Sequence, residues 1–260
     1  MTRETIQLEL HDQVGMLFFN RPEKRNALSP QLIEELLSSL EEFERGPARV
    51  VILSGKGKSF CAGMDLDALS ALAGNSPEEN VRDSQRMARM FRAIYSFPKP
   101  LIAAVNGPAI AGGCGIATLC DFTLAVPEAK FGYTEVKIGF IPAIVSVFLV
   151  RQIGEKRARD LLLTGRIFGA AEAHMLGLVN EIQPEERLLV RARELAEDLL
   201  RVSPTSLLHT KQLLRKLTEA ELDREIALAV TANAAIRATP DFREGLASFL
   251  EKRHPKWTGS

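Results

Sequence analysis

Patterns typical of strands and helices alternate along the chain as far as about residue 185, and only helix patterns follow. Residues 5–20 alternate apolar and polar side chains on both sides of a polar turn, which predicts a β-hairpin. Residues 29–44 begin with a Ser-Pro pair suited to an N-cap and a first helical position, and their apolar residues have helical spacing. The apolar runs at 49–55 and 101–107 predict buried strands. This alternation predicts an α/β architecture.

Four successive amphipathic helices are predicted after that point, with no strand between them. They occupy residues 185–202, 203–220, 221–238 and 239–253. Such helices can cover the core of their own subunit or form an interface with another subunit, and periodicity does not separate these two roles. We therefore expect two regions, a core with the functional sites at 1–195 and a helical region at 196–260.

The charge balance and the cysteine content limit the kinds of partner and metal site that we expect for this chain. With 33 Lys and Arg against 33 Asp and Glu, no excess of charge favours nucleic acid or a membrane surface as a partner. The charged amino-terminal segment is unlike a signal peptide, and the longest apolar run is too short to span a bilayer. Cys61, Cys114 and Cys120 have no metal-binding spacing and read as small core residues of a reducing compartment. We expect a cytoplasmic protein without a metal site.

Two glycine-bearing turns follow two predicted strands. The first is NGPAIAGGCGIATLCDF at 106–122, where glycine lets the backbone approach a ligand closely and the start of a helix offers free N–H groups. Such a turn can bind a phosphate or stabilise an oxyanion, or it can simply let a helix pack closely on a sheet. The second is SGKGKSFCAGMDL at 54–66, which lacks the glycine spacing of a P-loop. Two such turns can direct two backbone N–H groups at one oxygen.

Six segments together resemble the crotonase (enoyl-CoA hydratase/isomerase) superfamily, in the family's order and over nearly the whole chain. They are NRPEKRNALS, SGKGKSFCAGMDL, NGPAIAGGCGIATLCDF, AKFGYTEVKIGFIP, LLLTGRIFGAAEAHMLGLVNEI and REGLASFLEKR. The resemblance implies a spiral of β-β-α units with a C-terminal helical trimerisation region, and a homotrimer or homohexamer. It also implies an acyl-CoA thioester substrate and no cofactor beyond the CoA that arrives with it.

The same resemblance assigns site residues. The backbone N–H groups of Met64 and Gly112 match the family's oxyanion hole, and Glu135 matches one acid/base residue. The resemblance also places a set of residues on the substrate: Lys24 and Arg25 along the CoA arm, Cys61, Ala62, Asp65 and Leu66 around the adenine and pantetheine, Gly113 and Gly115 in the glycine turn, and Lys252 on the CoA phosphate of a neighbouring subunit. The branched and aromatic residues of IPAIVSVFL, 141–149, are expected to line the acyl pocket.

Gly115 is a departure from the pattern, because two-glutamate hydratases of this family carry their second carboxylate there. Glycine in the first turn of a helix costs about 1 kcal/mol relative to alanine, so helix propensity does not explain it. The overall resemblance is greatest to bacterial methylglutaconyl-CoA-type hydratases and favours hydration of a 2-enoyl-CoA. A single glutamate equally suits an isomerase that moves a double bond. The third alternative is a catalytically weak acyl-CoA-binding or scaffold protein, against which Glu135 argues.

Overall fold

The strands form two sheets in the computed structural model, which describes residues 3–259. The strands are β1 Ile6–His11, β2 Val14–Phe19, β3 Val50–Gly55, β4 Leu101–Val105, β5 Ala109–Ile110, β6 Phe122–Ala125, β7 Lys130–Gly132, β8 Ile167–Gly169 and β9 Glu181–Ile182. The main sheet has the order β1-β2-β3-β4-β6-β9, and the small sheet has the order β5-β7-β8. β1 and β2 pair as the predicted antiparallel hairpin, and the other strands of the main sheet pair in parallel.

Helices surround these sheets. They are α1 Pro30–Arg45, α2 Leu66–Ala71, α3 Pro77–Tyr95, α4 Gly112–Leu119, α5 Ala143–Ile153, α6 Glu155–Thr164, α7 Ala170–Met175, α8 Glu185–Leu200, α9 Pro204–Lys216, α10 Glu219–Ile236 and α11 Pro240–Leu250. Short 3₁₀ turns lie at Pro22–Lys24, Leu72–Gly74 and Glu135–Ile138. The predicted N-cap of α1 is confirmed, since the Ser29 side chain accepts a hydrogen bond from the Leu32 amide at 3.2 Å.

Burial explains why β3 and β4 read as continuous apolar runs. Every residue of both strands is buried, because helices cover both faces of a parallel sheet. Two successive chain units, β4-β5-α4 and β6-β7, each place their first strand in the main sheet and their second strand in the small sheet. The predicted α/β fold is therefore confirmed, and β5 of the small sheet leads directly into the glycine turn at the start of α4.

The C-terminal helices cover the core of their own chain. Helix α10 packs against α3 and α5, and α11 packs against the 3₁₀ turn Glu135–Ile138. A second apolar cluster joins α2, α11 and the segment after the turn through Leu69, Leu72, Phe140, Phe242 and Leu246. The predicted boundary between residues 195 and 196 lies inside α8, so the all-helical region begins at the start of that helix. Within residues 3–259, none of the helices combines the length and the apolar character needed to cross a bilayer.

Candidate active site

Close backbone packing fixes the glycine turn after β4. Ala111 adopts a positive φ of 50°, and its amide donates to the Gly132 carbonyl at 2.7 Å. Helix α4 then starts at Gly112, whose N–H lies in the first turn and has no acceptor within the helix. A β-carbon at Gly113 would overlap the Cys61 carbonyl oxygen, so glycine lets α4 approach the second turn. The glycine run therefore combines the two alternatives considered from the sequence, because close packing of the helix and a free N–H group occur in the same turn.

Backbone hydrogen bonds and the side chain of Asp65 fix the second glycine turn around Met64. The Leu28 amide donates to the Gly63 carbonyl at 2.7 Å, and the Asp65 amide donates to the Leu28 carbonyl at 3.0 Å. Asp65 caps α2 through the Asp67 amide and forms a buried ion pair with Arg21 at 2.8 Å. Between these bonds, the Met64 N–H donates to no acceptor among residues 3–259.

A cavity of about 830 Å³ borders both turns. Its walls include Met64, Ala111 and Gly112, the 3₁₀ turn at Glu135 and the start of α5. The predicted acyl-pocket segment contributes Ile141, Pro142, Ala143, Ile144 and Val145 to the wall. The two N–H groups without acceptors therefore border a mainly apolar space, where a hydrogen bond to a developing negative charge is strong.

Glu135 lies on the wall of this cavity with its carboxyl group largely removed from water. Its carbonyl accepts a hydrogen bond from the Phe140 amide at 3.1 Å, and Gly139 reverses the chain with a φ of 66°. Its Oε2 is buried and has no hydrogen-bond partner among residues 3–259. Burial raises the pKa of the Glu135 carboxyl from its ordinary 4.5 to about 7, and a hydrogen bond to its own backbone partly opposes that rise. A group with this pKa can both accept and donate a proton near neutral pH.

Gly115 lies behind the cavity wall, although the sequence analysis counted it among the substrate-binding residues. A β-carbon there would meet Val145 Cγ1 at 2.7 Å and Phe91 Cε1 at 2.8 Å. Both of those side chains line the cavity. The space of a second carboxylate is therefore filled by two apolar side chains, and a glutamate does not fit at 115 without displacing both of them.

The other predicted substrate-binding residues divide into two groups. Those that border the cavity are Lys24, Arg25, Ala62, Asp65, Leu66 and Lys252. Cys61 and Gly113 lie behind its wall, where they pack against each other. Lys252, predicted to reach a neighbouring subunit, borders the cavity of its own chain in this structure. Lys24 pairs with Asp67 at 3.3 Å on the exposed rim.

The cysteines belong to the core. Burial raises the pKa of the Cys61 and Cys114 thiols to about 12, so both are neutral at physiological pH and poor nucleophiles. Among residues 3–259, no group of three or more His, Cys, Asp or Glu side chains is arranged to hold a metal ion.

Two buried polar residues of the cavity wall were not predicted from the sequence, Asn233 and Arg237 of the α10 region. Both are buried, with exposed fractions of 6% and 3%, and both line the cavity. Their spacing of i and i+4 was a usable signal, because it places an amide and a guanidinium on one face of a helix.

The chain is similar to known proteins in both sequence and structure. A family model described as "Enoyl-CoA hydratase/isomerase" matches residues 9–260. The Thermus thermophilus "Putative enoyl-CoA hydratase" is 49% identical over 245 residues, which cover 94% of this chain and 97% of that protein. The Syntrophomonas wolfei "Crotonyl-CoA hydratase" is 34% identical and 97% of each chain is covered. The crystal structure of an enoyl-CoA hydratase/isomerase from Pseudoalteromonas atlantica superposes with a TM-score of 0.88 at 31% identity, covering 98% of this chain and 100% of that one.

Proposed function

The chain belongs to the enoyl-CoA hydratase/isomerase family, and from this premise we propose that it adds water to the double bond of a 2-enoyl-CoA thioester. One observation carries the proposal. The Glu135 carboxyl, whose Oε2 is buried without a hydrogen-bond partner among residues 3–259 and whose pKa is raised to about 7, borders the same cavity as Met64 and Gly112, whose N–H groups have no acceptor within that range. A proton-transfer group and a binding site for negative charge are the two components that this reaction needs.

The N–H groups of Met64 and Gly112 bind the thioester carbonyl oxygen in this proposal. When water attacks C3 of the enoyl group, the electron pair of the double bond moves toward that oxygen and an enolate forms. Two backbone donors stabilise the enolate more than the starting thioester, which is how binding lowers a barrier. Loss of one donor of this kind raises a barrier by about 3 kcal/mol.

Glu135 carries out the proton transfers. Its carboxylate takes one proton from the attacking water, whose oxygen bonds to C3, and the carboxylic acid then delivers that proton to C2. The product is a 3-hydroxyacyl-CoA, and atoms balance without a metal or redox cofactor, since CoA enters as part of the substrate. A pKa near 7 gives both forms of the carboxyl comparable populations at neutral pH.

Isomerisation is the second candidate function, and the packing at Gly115 favours it. Phe91 and Val145 fill the space of a second carboxylate, so a single acid/base residue serves the cavity. Glu135 alone can remove a proton from C2 of a 3-enoyl-CoA and return it to C4. A pure acyl-CoA-binding role is less well supported, because a carboxyl oxygen buried without a hydrogen-bond partner, as Glu135 Oε2 is among residues 3–259, destabilises the fold and has no use in binding.

The cavity rim and the outer helices suggest how substrate and subunits bind. Lys24, Arg25 and Lys252 are exposed cations at the rim, suited to the phosphates of CoA. We further propose a homotrimer or homohexamer in the cytoplasm. Its support is the apolar surface that α9 and α10 leave exposed, formed by Leu213, Leu214, Leu217 and Leu228.

Ultraviolet absorbance of the conjugated enoyl thioester tests the proposal. Purified protein is mixed with a panel of 2-enoyl-CoA and 3-enoyl-CoA substrates that includes branched acyl groups. Loss of absorbance from a 2-enoyl-CoA, with a 3-hydroxyacyl product identified by mass, supports hydration. A gain of absorbance from a 3-enoyl-CoA, with no added water in the product, supports isomerisation instead. No change with either class contradicts both activities.

A further inference from the structure

Met64 borders the cavity with an N–H group that has no acceptor among residues 3–259, and an isolated β-bridge to Leu28 orients it. In this parallel bridge the Leu28 amide donates to the Gly63 carbonyl at 2.7 Å, and the Asp65 amide donates to the Leu28 carbonyl at 3.0 Å. The N–H of the residue between those two therefore points away from Leu28. Because the bridge is isolated, its precision depends on what else joins the two segments.

The Arg21 guanidinium joins the same two segments a second time. Its Nη1 donates to the carbonyl of Ala27, the residue before Leu28, at 2.7 Å. Its Nη2 lies 2.8 Å from Oδ2 of Asp65, the residue after Met64. The Asp65 side chain is 4% exposed and that of Arg21 is 17% exposed, so the ion pair is largely removed from water. One rigid planar group thus spans the bridge from side to side.

The Asp65 carboxylate is buried and ionised. Its Oδ1 accepts from the Asp67 amide at 2.9 Å at the start of α2. Burial by itself raises the pKa of the carboxyl, but the Arg21 guanidinium and the Asp67 amide outweigh burial and hold that pKa below its ordinary 3.8. The desolvation cost of a buried ion pair can exceed the attraction between its charges, so the pair is weak evidence for stability. A role in fixing one geometry is the other explanation for its presence.

The segment on the far side of the bridge has a backbone conformation that side chains disfavour. Arg25 and Asn26 have successive φ values of 51° and 56°, in the left-handed region. The fully buried Asn26 side chain holds them there, since its Oδ1 accepts from the Arg21 amide and its Nδ2 donates to the Ser59 carbonyl, both at 2.8 Å. Strained backbone persists only where its surroundings determine it. Buried polar side chains therefore anchor both segments that orient the Met64 N–H.

We propose, resting on the function proposed above, that Arg21 and Asp65 are positioning residues for the Met64 N–H. They fix the direction in which this group meets the thioester oxygen, so that its hydrogen bond strengthens as the enolate forms. This role differs from the contact with adenine and pantetheine that the family resemblance implies for Asp65. The contrasting explanation is that the pair only caps α2 and stabilises the turn.

Asp65→Asn tests the ion pair with little change of shape. The asparagine Oδ1 can still accept from the Asp67 amide, whereas its Nδ2 is a donor and cannot pair with the Arg21 guanidinium. We expect kcat on the best substrate of the enoyl-CoA panel to fall about 10- to 100-fold, because a misdirected donor loses part of its effect on the barrier. KM should stay within about threefold of the wild-type value. A rise in KM with kcat unchanged would indicate a substrate contact instead and overturn the inference.

Asp121→Asn is the matched control. Asp121 Oδ2 also accepts from a backbone amide, that of Leu101 at 2.7 Å, and pairs with a cation, Lys211, but it does not border the cavity. Melting temperatures of both variants measure what each carboxylate contributes to stability. If Asp121→Asn lowers kcat as much as Asp65→Asn does, a general loss of stability accounts for the effect and the positioning role is wrong.

Arg21→Lys is the second variant and leaves both carboxylates in place. It keeps the positive charge but loses the planar group that reaches two acceptors at once. We expect kcat to fall about 10-fold with KM nearly unchanged. A wild-type kcat in this variant would show that the bridging geometry is not needed and would contradict the proposal.

The enolate of acetoacetyl-CoA provides a readout without turnover. This enolate absorbs in the near ultraviolet, and an oxyanion hole favours it over the neutral form. A pH titration of each complex gives the ratio of the two forms, which we expect to be about 10-fold lower in Asp65→Asn than in the wild type and unchanged in Asp121→Asn. Since Asp65→Asn leaves a net positive charge near the site, a purely electrostatic effect would raise the ratio.

The same titration separates this inference from the function on which it rests. If Asp65→Asn and the wild type give equal ratios, or if the variant gives the higher one, the positioning role is wrong and the proposed function stands. If the wild type does not favour the enolate over its fraction in free acetoacetyl-CoA, the oxyanion hole itself is wrong, and the proposed function fails with it.

Discussion

The 3₁₀ turn that carries Glu135 and the first turn of α4, which contains Gly115, border the same cavity but differ in polarity. At Glu135 the structure leaves a carboxyl oxygen buried and unpartnered, with a pKa of about 7. At Gly115 it leaves no side chain at all, and Phe91 and Val145 occupy the space. The first position keeps an energetically unfavourable polar group, whereas the second is packed like any apolar core.

This difference bears on how the roles of acid and base are divided in the proposed reaction. A pair of carboxylates can hold a water between them and divide the roles of acid and base. In the proposed reaction Glu135 performs both roles in succession, because the side chains of Phe91 and Val145 fill the space next to Gly115. The asymmetry therefore explains why hydration and isomerisation both remain compatible with one glutamate.

Replacing Glu135 is expected to have the largest effect. Glu135→Gln keeps the shape of the side chain and removes its ability to accept a proton, so kcat should fall about 10²- to 10⁴-fold. Steady-state kinetics on the best substrate of the enoyl-CoA panel measure this, with the melting temperature as a check on folding. Glu128→Gln is the matched control, since Glu128 is an exposed glutamate outside the cavity. Comparable activity of Glu135→Gln and wild type would contradict the catalytic role.

The raised pKa of Glu135 also makes a prediction about stability. A carboxyl with a pKa of about 7 when folded and 4.5 when unfolded contributes stability that is fully present below pH 4.5. That contribution is lost as the pH rises through 7, because the unfolded chain ionises the group more readily. Relative to Glu135→Gln, the wild type should lose about 3 kcal/mol of unfolding free energy between pH 4.5 and pH 8. Urea denaturation of both proteins at each pH measures this, and a pH-independent difference would mean that Glu135 is well solvated.

Two alanine substitutions sharpen the contrast between rigid and adjustable packing in α4. At Gly113 the new methyl group would overlap a backbone carbonyl oxygen of Cys61, which cannot move without shifting the second turn. At Gly115 it would meet the side chains of Phe91 and Val145, which can adjust, and alanine also favours the helix by about 1 kcal/mol. We expect Gly113→Ala to cost about 3 kcal/mol and Gly115→Ala about 1 kcal/mol. Urea midpoints rank the two, and the reverse order would show that the wall at Gly115 is the stiffer one.

Local patterns in the sequence predicted the elements that carry the site. The strands around the two glycine turns follow from continuous apolar runs, and the N-cap Ser29 follows from its spacing to the helix. The family resemblance then directed attention to Glu135, whose burial and raised pKa the structure supplies. The strands and the N-cap depend on residues close together in the chain, and such features are readable from sequence, whereas the burial of Glu135 depends on the whole cavity.

Features that depend on distant contacts were not readable. Gly115 is packed by Phe91 of α3 and Val145 of α5, and periodicity indicates only which face of a helix is apolar, not which residues meet it. The same holds for Arg237, which reaches Asp83 across more than a hundred residues of sequence. In the sequence alone, Arg237 is one more charge near the end of an amphipathic helix.

The smallest effect is expected from introducing a second carboxylate at position 115. Gly115→Glu alone should destabilise the protein without raising hydration, because Val145 Cγ1 and Phe91 Cε1 already fill the space. Val145→Ala removes the nearer obstacle, so in the double variant only the Phe91 ring has to move for the new carboxylate to reach the cavity. If a missing second carboxylate limits the rate, hydration should rise about 10-fold in the double variant over Val145→Ala alone. The initial rates of both variants on one 2-enoyl-CoA, compared with their rates on a 3-enoyl-CoA, measure this. A rise in both rates would indicate a larger pocket, whereas a rise in hydration alone would show that the apolar wall at Gly115 keeps this site to a single acid/base residue.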